Sequence, residues 1–421
     1  MTKDLIKYLI SYYQQFVSNV AFHPRDYAFE ANANYVIVGL RRAGKSFLMY
    51  QRIHQLIAAG HKQEEILYFN FEDDRIDFIS LADLDLIKVC YEEMYDTKPI
   101  FFLDEIQNVT GWERFARRLA DTGYRVYITG SNAKMQSSEI ATTLGGRYLM
   151  LEVFPYSFRE SLALEGIDAG EKNAFFTHRN EIVKAFESYF TDGGLPEITQ
   201  IVDKRSWMSS LFNKIFFGDL IARHQIRNDF ALRILIRKLA ESVKQPSSYS
   251  RMANIVSSTG KKISTDTVID YIGYLAESWL ILPFENIAAK LMDKEANRKY
   301  YFIDNGLLNL FLTDPVTSLL ENLVAIRLRQ LFGADVYFYN KNTEVDFVVH
   351  TQGIAIQVSY RLDNPETRKR ETEALLRYAD IFPTQKLLLI TKDEESTIEE
   401  NGKSIHVMPA WKWLLTSSEE W

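Results

Sequence analysis

The sequence predicts an α/β protein: a layered domain on a parallel sheet, then a helical stretch, then a second α/β or α+β domain. Three observations predict it. Short apolar runs alternate with helical periodicity up to about residue 155, the mark of strand–helix–strand units. From Pro155 to about Asn228 the pattern is mostly helical. From about residue 300 onward, strand-like runs return.

The elements follow in order. Residues 5–17 read as an amphipathic helix. Tyr35-Val36-Ile37-Val38 reads as a strand, followed by a Gly-bounded loop and a helix from about Lys45 to Ala58. Residues 66–71 fit a second strand and residues 80–95 a helix. Ile100-Phe101-Phe102-Leu103 is a continuous apolar run, as in strands buried on both faces of a parallel sheet. A helix at 112–121 precedes a fourth strand, Val126 to Thr129, and a fifth fits Tyr148 to Val153. Residues 230–300 read as short helices, with Lys261-Lys262 in a turn before a helix from Thr265 to Trp279. Later strands fit 300–303, 336–339, 345–349, 354–358 and 386–390.

With 421 residues the chain is long enough for roughly two to four domains. Hydrophobic residues at 47% and charged residues at 25% are ordinary for a globular protein. The net charge of -7 argues against a generic nucleic-acid coat, although a local basic patch is compatible with it. Cys90 is the only cysteine, so neither an intramolecular disulfide nor a multi-cysteine zinc site can form. The first residues lack a signal-peptide layout, because Lys7 and polar residues interrupt the apolar positions. No stretch approaches the ~20 apolar residues that span a bilayer. A cytoplasmic protein without a membrane partner is the reading.

Gly39-Leu40-Arg41-Arg42-Ala43-Gly44-Lys45-Ser46 fits G-x-x-x-x-G-K-[ST] at every fixed position. A strand precedes it and a helix follows, as the phosphate-binding mechanism requires. Glycines let main-chain N–H groups wrap phosphates without a Cβ clash, and the helix N-terminus adds partial positive charge. Lys45 is expected to reach the β- and γ-phosphates and Ser46 to ligate Mg²⁺, with Phe47 completing the nucleotide-contacting run. The bland alternative is a Gly-rich turn with a surface lysine.

Phe101-Phe102-Leu103-Asp104-Glu105 is an apolar strand ending in two carboxylates. Asp104 would hold Mg²⁺, directly or through water, and Glu105 would polarise the attacking water as general base. The alternative is an ordinary acidic turn. A further strand, residues 66–71, fits between the loop and Asp104. That arrangement resembles the additional-strand catalytic-glutamate class of NTPases, and no N-K-x-D guanine signature appears, so ATP is favoured over GTP. The fourth strand ends Thr129-Gly130-Ser131-Asn132, where Asn132 or Ser131 would sense the γ-phosphate or simply form a turn. Arginine is the usual transition-state clamp in phosphoryl transfer. Arg147 in Gly145-Gly146-Arg147-Tyr148 is the first choice, ahead of Arg42 and Arg223.

On GLRRAGKS, FFLDEIQ, ITGSNAKM, GGRYLMLEVFPYSFRE, YYFIDNGL, LENLV and EVDFVV, nearly the whole chain resembles a family of bacterial and archaeal AAA-like ATPases. These carry a C-terminal domain of unknown function. The resemblance implies an AAA-like core over 1–160, a helical lid over 161–228, a winged-helix-like segment over 229–300 and a PD-(D/E)xK-like domain over 301–421. In that last domain Glu321, Asp346 and Gln357 occupy the acidic or amide positions. Ser359 stands where the family's lysine would be, with Lys341 nearby. Serine supplies no positive charge, and an amide is a weaker Mg²⁺ ligand than a carboxylate, so a degenerate nuclease is expected. Residues 231–300 hold eleven Lys/Arg against seven Asp/Glu, about +4. Val268, Ile269, Ile272 and Leu275 share one helical face, which fits either a DNA-contacting winged helix or a protein-packing module with a solvated basic face. The expected function is ATP hydrolysis coupled to DNA or a protein partner, with a homo-oligomer suggested by the family. The alternatives are a nucleotide-gated switch with little turnover and a Mg²⁺-dependent nuclease.

Overall fold

The computed structural model describes residues 1–76, 79–130, 142–169, 174–290 and 297–421. The chain divides into two compact units, Met1–Val153 and Phe154–Trp421.

The first unit is built on five parallel strands: β1 Asn34–Gly39, β2 Ile66–Asn70, β3 Ile100–Asp104, β4 Val126–Gly130 and β5 Tyr148–Val153. Their order is β2-β3-β4-β1-β5. β1, β3 and β4 are buried almost throughout, because helices cover both faces of a parallel sheet. The helices α1 Lys3–Asn19, α2 Lys45–Ala58, α3 Leu81–Met94 and α4 Trp112–Asp121 accompany them. α1 buries Ile6, Leu9, Ile10, Tyr13 and Val17, positions three or four apart along one face. The strand that separates β1 from β3 is β4. β2, expected between the loop and Asp104, lies at the far edge beside β3.

The second unit starts with helices and ends in a nine-stranded sheet of order β13-β14-β12-β11-β10-β9-β7-β8-β6. Its strands are β6 Ser247–Ser248, β7 Ile281–Asn286, β8 Asn297–Phe302, β9 Val336–Asn340, β10 Glu344–Val349, β11 Ile354–Val358, β12 Lys386–Thr391, β13 Ser396–Glu400 and β14 Lys403–Pro409. Tyr339, Val345, Val348, Ala355, Leu375, Leu389 and Val407 belong to one of its buried clusters. Two sequence expectations change here. The domain boundary expected at 300/301 cuts through β8, and β7 pairs both with β8 and with β9, so the helical segment and the C-terminal strands share one sheet. β7, β13 and β14 were not expected as strands. Among the described residues no helix is long and apolar enough to cross a membrane.

Candidate functional site

The phosphate loop leaves the C-terminal end of β1 and runs into α2. Gly39 has φ 150°, and a Cβ there would lie 2.2 Å from the carbonyl oxygen of Val153, so glycine is required by close approach. Gly44 adopts φ 96° and caps α2, and as a glycine it supplies no capping side chain of its own. A helix N-terminus left this way is suited to an anion. Arg42, at φ 64°, is a non-glycine residue in the left-handed region, a local strain of the kind that collects at functional loops. Lys45 is 4% exposed, and its Nζ donates to the carbonyls of Gly39 and Leu40, both at 3.2 Å. Phe47 is 49% exposed in the first turn of α2, with its ring against Tyr50.

Asp104 and Glu105 meet this loop. Lys45 Nζ lies 3.9 Å from Glu105 Oε1, and the Ser46 hydroxyl is near enough to the Asp104 carboxylate to draw its pKa down. Asp104 also accepts from Tyr68 Oη at 2.6 Å and from Thr129 Oγ1. Burial, then the neighbouring Glu105 charge, pushes its carboxyl above the usual range, while those three hydroxyls pull it back. Glu105 has φ 54°, again left-handed, and its N–H donates to Thr129 Oγ1 at 2.9 Å. Gln107 donates to its carboxylate. The hard oxygen donors of Ser46 and Asp104, beside an uncapped helix start, fit Mg²⁺ and a polyphosphate.

The structure therefore brings together Gly39, Leu40, Gly44, Lys45, Ser46, Asp104 and Glu105. Arg41 turns outward to Glu72 at 3.3 Å. Asn132 and Ser131 lie outside the described residues. Arg147 is not brought to the loop. It precedes β5 at Tyr148, which pairs with Asn34 at the start of β1, whereas the loop begins at Gly39 opposite Val153. Six residues of strand, roughly 17–20 Å, separate the two ends. Arg147 pairs there with Asp121, so within one chain it cannot serve as a clamp. Arg223 lies in the second unit and pairs with Asp219 at 3.4 Å.

Two residues that sequence reasoning passed over complete the site. Thr129 bridges Asp104 and the Glu105 amide, and Tyr68 carries a buried hydroxyl chain from Tyr50 (3.2 Å) to Asp104. The signal was a tyrosine inside an otherwise apolar strand, since a buried phenol needs a partner. Arg25 and Gln51 brace the loop from behind. Arg25 Nη1 donates to the Ala43 carbonyl at 3.0 Å, and Gln51 holds the Arg25 main chain through two bonds of 2.8 Å.

A second carboxylate cluster sits in the other unit. Glu321, Glu344 and Asp346 surround Nζ of Lys299, which is fully buried, at 3.4, 3.2 and 3.2 Å. Burial lowers the Lys299 pKa and the three carboxylates overcome it, leaving it raised. Burial also raises Glu321, against the pull of Lys299. Tyr301 Oη donates to Glu321 at 2.8 Å. Gln357 Oε1 accepts from the Asp346 N–H, and its Nε2 donates to Glu371. Ser359 Oγ donates to the Arg361 carbonyl, away from any acidic role. Lys299, rather than Lys341, is the cation that the fold brings here. The cluster lies on a cleft of about 710 Å³ that Lys244, Lys369, Arg370 and Arg377 also line.

The first unit's fold and site define an AAA-type P-loop nucleotide-binding domain, and residues 31–162 match the family described as "AAA domain". Residues 183–316 match a "Domain of unknown function (DUF8612)". The chain is 33% identical to "Uncharacterized protein MJ1544" of Methanocaldococcus jannaschii, across 90% of this chain and 88% of that protein. It is 30% identical to an "Uncharacterized protein" of Haemophilus influenzae, across 90% and 94%. The chain belongs to the same family as these two relatives. Among solved structures, the Walker-type ATPase PABY2304 of Pyrococcus abyssi is similar with a TM-score of 0.41 and 13% identity, covering 66% of this chain and 90% of that one.

Proposed function

We propose that the chain hydrolyses ATP at the Lys45–Glu105 site and passes the change in nucleotide state to a macromolecular partner through its second unit. One observation carries the reading: Lys45 Nζ lies 3.9 Å from Glu105 Oε1 with Ser46 beside Asp104, so the phosphate-binding and acidic halves already meet. Lys45 exchanges its two carbonyl partners for the β- and γ-phosphate oxygens. Ser46 and Asp104 would hold Mg²⁺, which would supply charge neutralisation at the phosphates. Glu105 takes a proton from the attacking water, with Gln107 and the Thr129 contact fixing its position. Phe47 offers an exposed ring beside the loop for the base. Lys45→Ala should abolish nucleotide binding, and Glu105→Gln should keep binding and stop turnover. Unchanged turnover in Glu105→Gln would remove the general-base assignment. The clamp arginine comes from elsewhere than Arg147 of the same chain. A mass measurement with and without ATP tests whether a second copy supplies one.

For the partner, the order helix Asp229–Glu241, β6, helix Tyr249–Ser258, helix Thr265–Glu277, β7, β8 supports a winged-helix-like reading of 229–300. The helix Thr265–Glu277 exposes Asp266, Ile269, Asp270 and Gly273. Two carboxylates on that face repel backbone phosphates, which favours a protein partner over duplex DNA at this helix. A low-salt mobility-shift titration should show no duplex binding. A shift abolished by Lys261→Glu would reverse the choice.

A further inference from the structure

The family resemblance implies a divalent cation at Glu321, Asp346 and Gln357. The residues present do not fit one. Mg²⁺ draws oxygens to about 2.0–2.1 Å in an octahedron. Here the three carboxylates converge at 3.2–3.4 Å on the ammonium of Lys299, a spacing suited to N–H donors. Two of these carboxylates have further partners. Asp346 Oδ2 accepts from the Val358 N–H at 3.0 Å, and Glu321 Oε1 serves both Tyr301 and Lys299. Gln357 faces donors and acceptors that fix its amide. Its oxygen takes the Asp346 N–H at 2.7 Å, and its nitrogen gives to the Glu344 carbonyl and the Glu371 carboxylate. Its oxygen is thus held by the Asp346 main chain and its nitrogen by Glu371, leaving the amide committed on both sides.

Glu344 is 46% exposed, but Lys299 is 0% exposed, so the ammonium itself cannot swing out to solvent. It reaches the cluster from β8, while Glu321 comes from the helix Val316–Phe332 and Glu344 and Asp346 from β10. The ammonium is thus anchored on β8, between β7 and the short edge strand β6, and held from two other elements. A divalent ion placed among the same carboxylates would meet a fixed positive charge at contact distance.

We propose that Lys299 permanently occupies the place of the divalent cation, so that the Glu321–Glu344–Asp346 cluster binds no metal and the cleft above it works without one. The proposal is independent of the ATPase reading. Nucleotide-free full-length protein is titrated with Mn²⁺, and bound ion is read by electron paramagnetic resonance. Any weak binding near Ser46 and Asp104 is common to every variant and cancels in comparison. Wild type and Asp346→Asn should give superimposable isotherms. Lys299→Met should gain one Mn²⁺ per chain, and Lys299→Met/Asp346→Asn should lose it again. A Mn²⁺ site in wild type that Asp346→Asn removes would overturn the proposal, as would a folded Lys299→Met protein that gains none. If Lys299→Met does not fold, wild type against Asp346→Asn decides alone.

Discussion

Two buried lysines, Lys45 and Lys299, sit in carboxylate-rich surroundings and have opposite degrees of freedom. Lys45 rests on two neutral main-chain carbonyls, with Glu105 as far away as 3.9 Å. Lys299 is enclosed by three carboxylates within 3.4 Å. A neutral hydrogen bond contributes about 1 kcal/mol net, whereas removing one partner of a buried ion pair costs about 3–5 kcal/mol. The first ammonium can trade partners for an incoming polyphosphate. The second cannot leave. Burial alone therefore says little about a lysine's role; the charge and chain position of its partners decide it.

The comparison can be broken at several points. The largest expected effect is on Glu105→Gln, which should reduce ATP turnover by about 10²–10⁴-fold with nucleotide affinity retained, measured by phosphate release beside a binding titration. Next, Lys299→Met should lower unfolding free energy by about 3–5 kcal/mol, and Lys45→Met by no more than about 1 kcal/mol, in urea denaturation. Equal losses would erase the distinction between the two lysines. Lys45→Ala should abolish detectable binding of a fluorescent ATP analogue, a loss of roughly 100-fold or more once its charge-assisted phosphate contacts are gone. Tyr68→Phe removes one hydroxyl from Asp104 and should raise the Mg²⁺ concentration for half-maximal turnover by about 10-fold, as outer-shell partners of metal ligands do.

What was legible in the sequence was local. Gly39 to Ser46 carries its chemistry in eight consecutive residues, and Phe101 to Glu105 announces both a buried strand and its acidic end. The strands of the first unit were legible too, since parallel strands buried on both faces leave unbroken apolar runs. The second unit was harder. β7 contains Pro283, which argues against a strand, yet the proline sits exposed. β13 reads Ser396-Thr397-Ile398-Glu399-Glu400 at the sheet edge, with no residue fully buried and so no alternation to detect. Lys299 was read only as part of a basic segment. Its partners lie far along the chain, and no spacing rule connects a lysine on β8 with carboxylates on a later helix and on β10. The position of Arg147 relative to the loop of its own chain was hidden for a related reason. A glycine-flanked arginine looks functional locally, and only strand register shows that it stands at the wrong end of the sheet.

The shared sheet of the second unit has a practical side. A chain ended at Tyr300, where sequence suggests a domain limit, would stop inside β8 and strip β7 of its β9 neighbour. Both pieces would then present unpaired strand edges, and such edges recruit each other. Fragments divided at that point should precipitate, whereas a division near Val153 leaves every ladder whole.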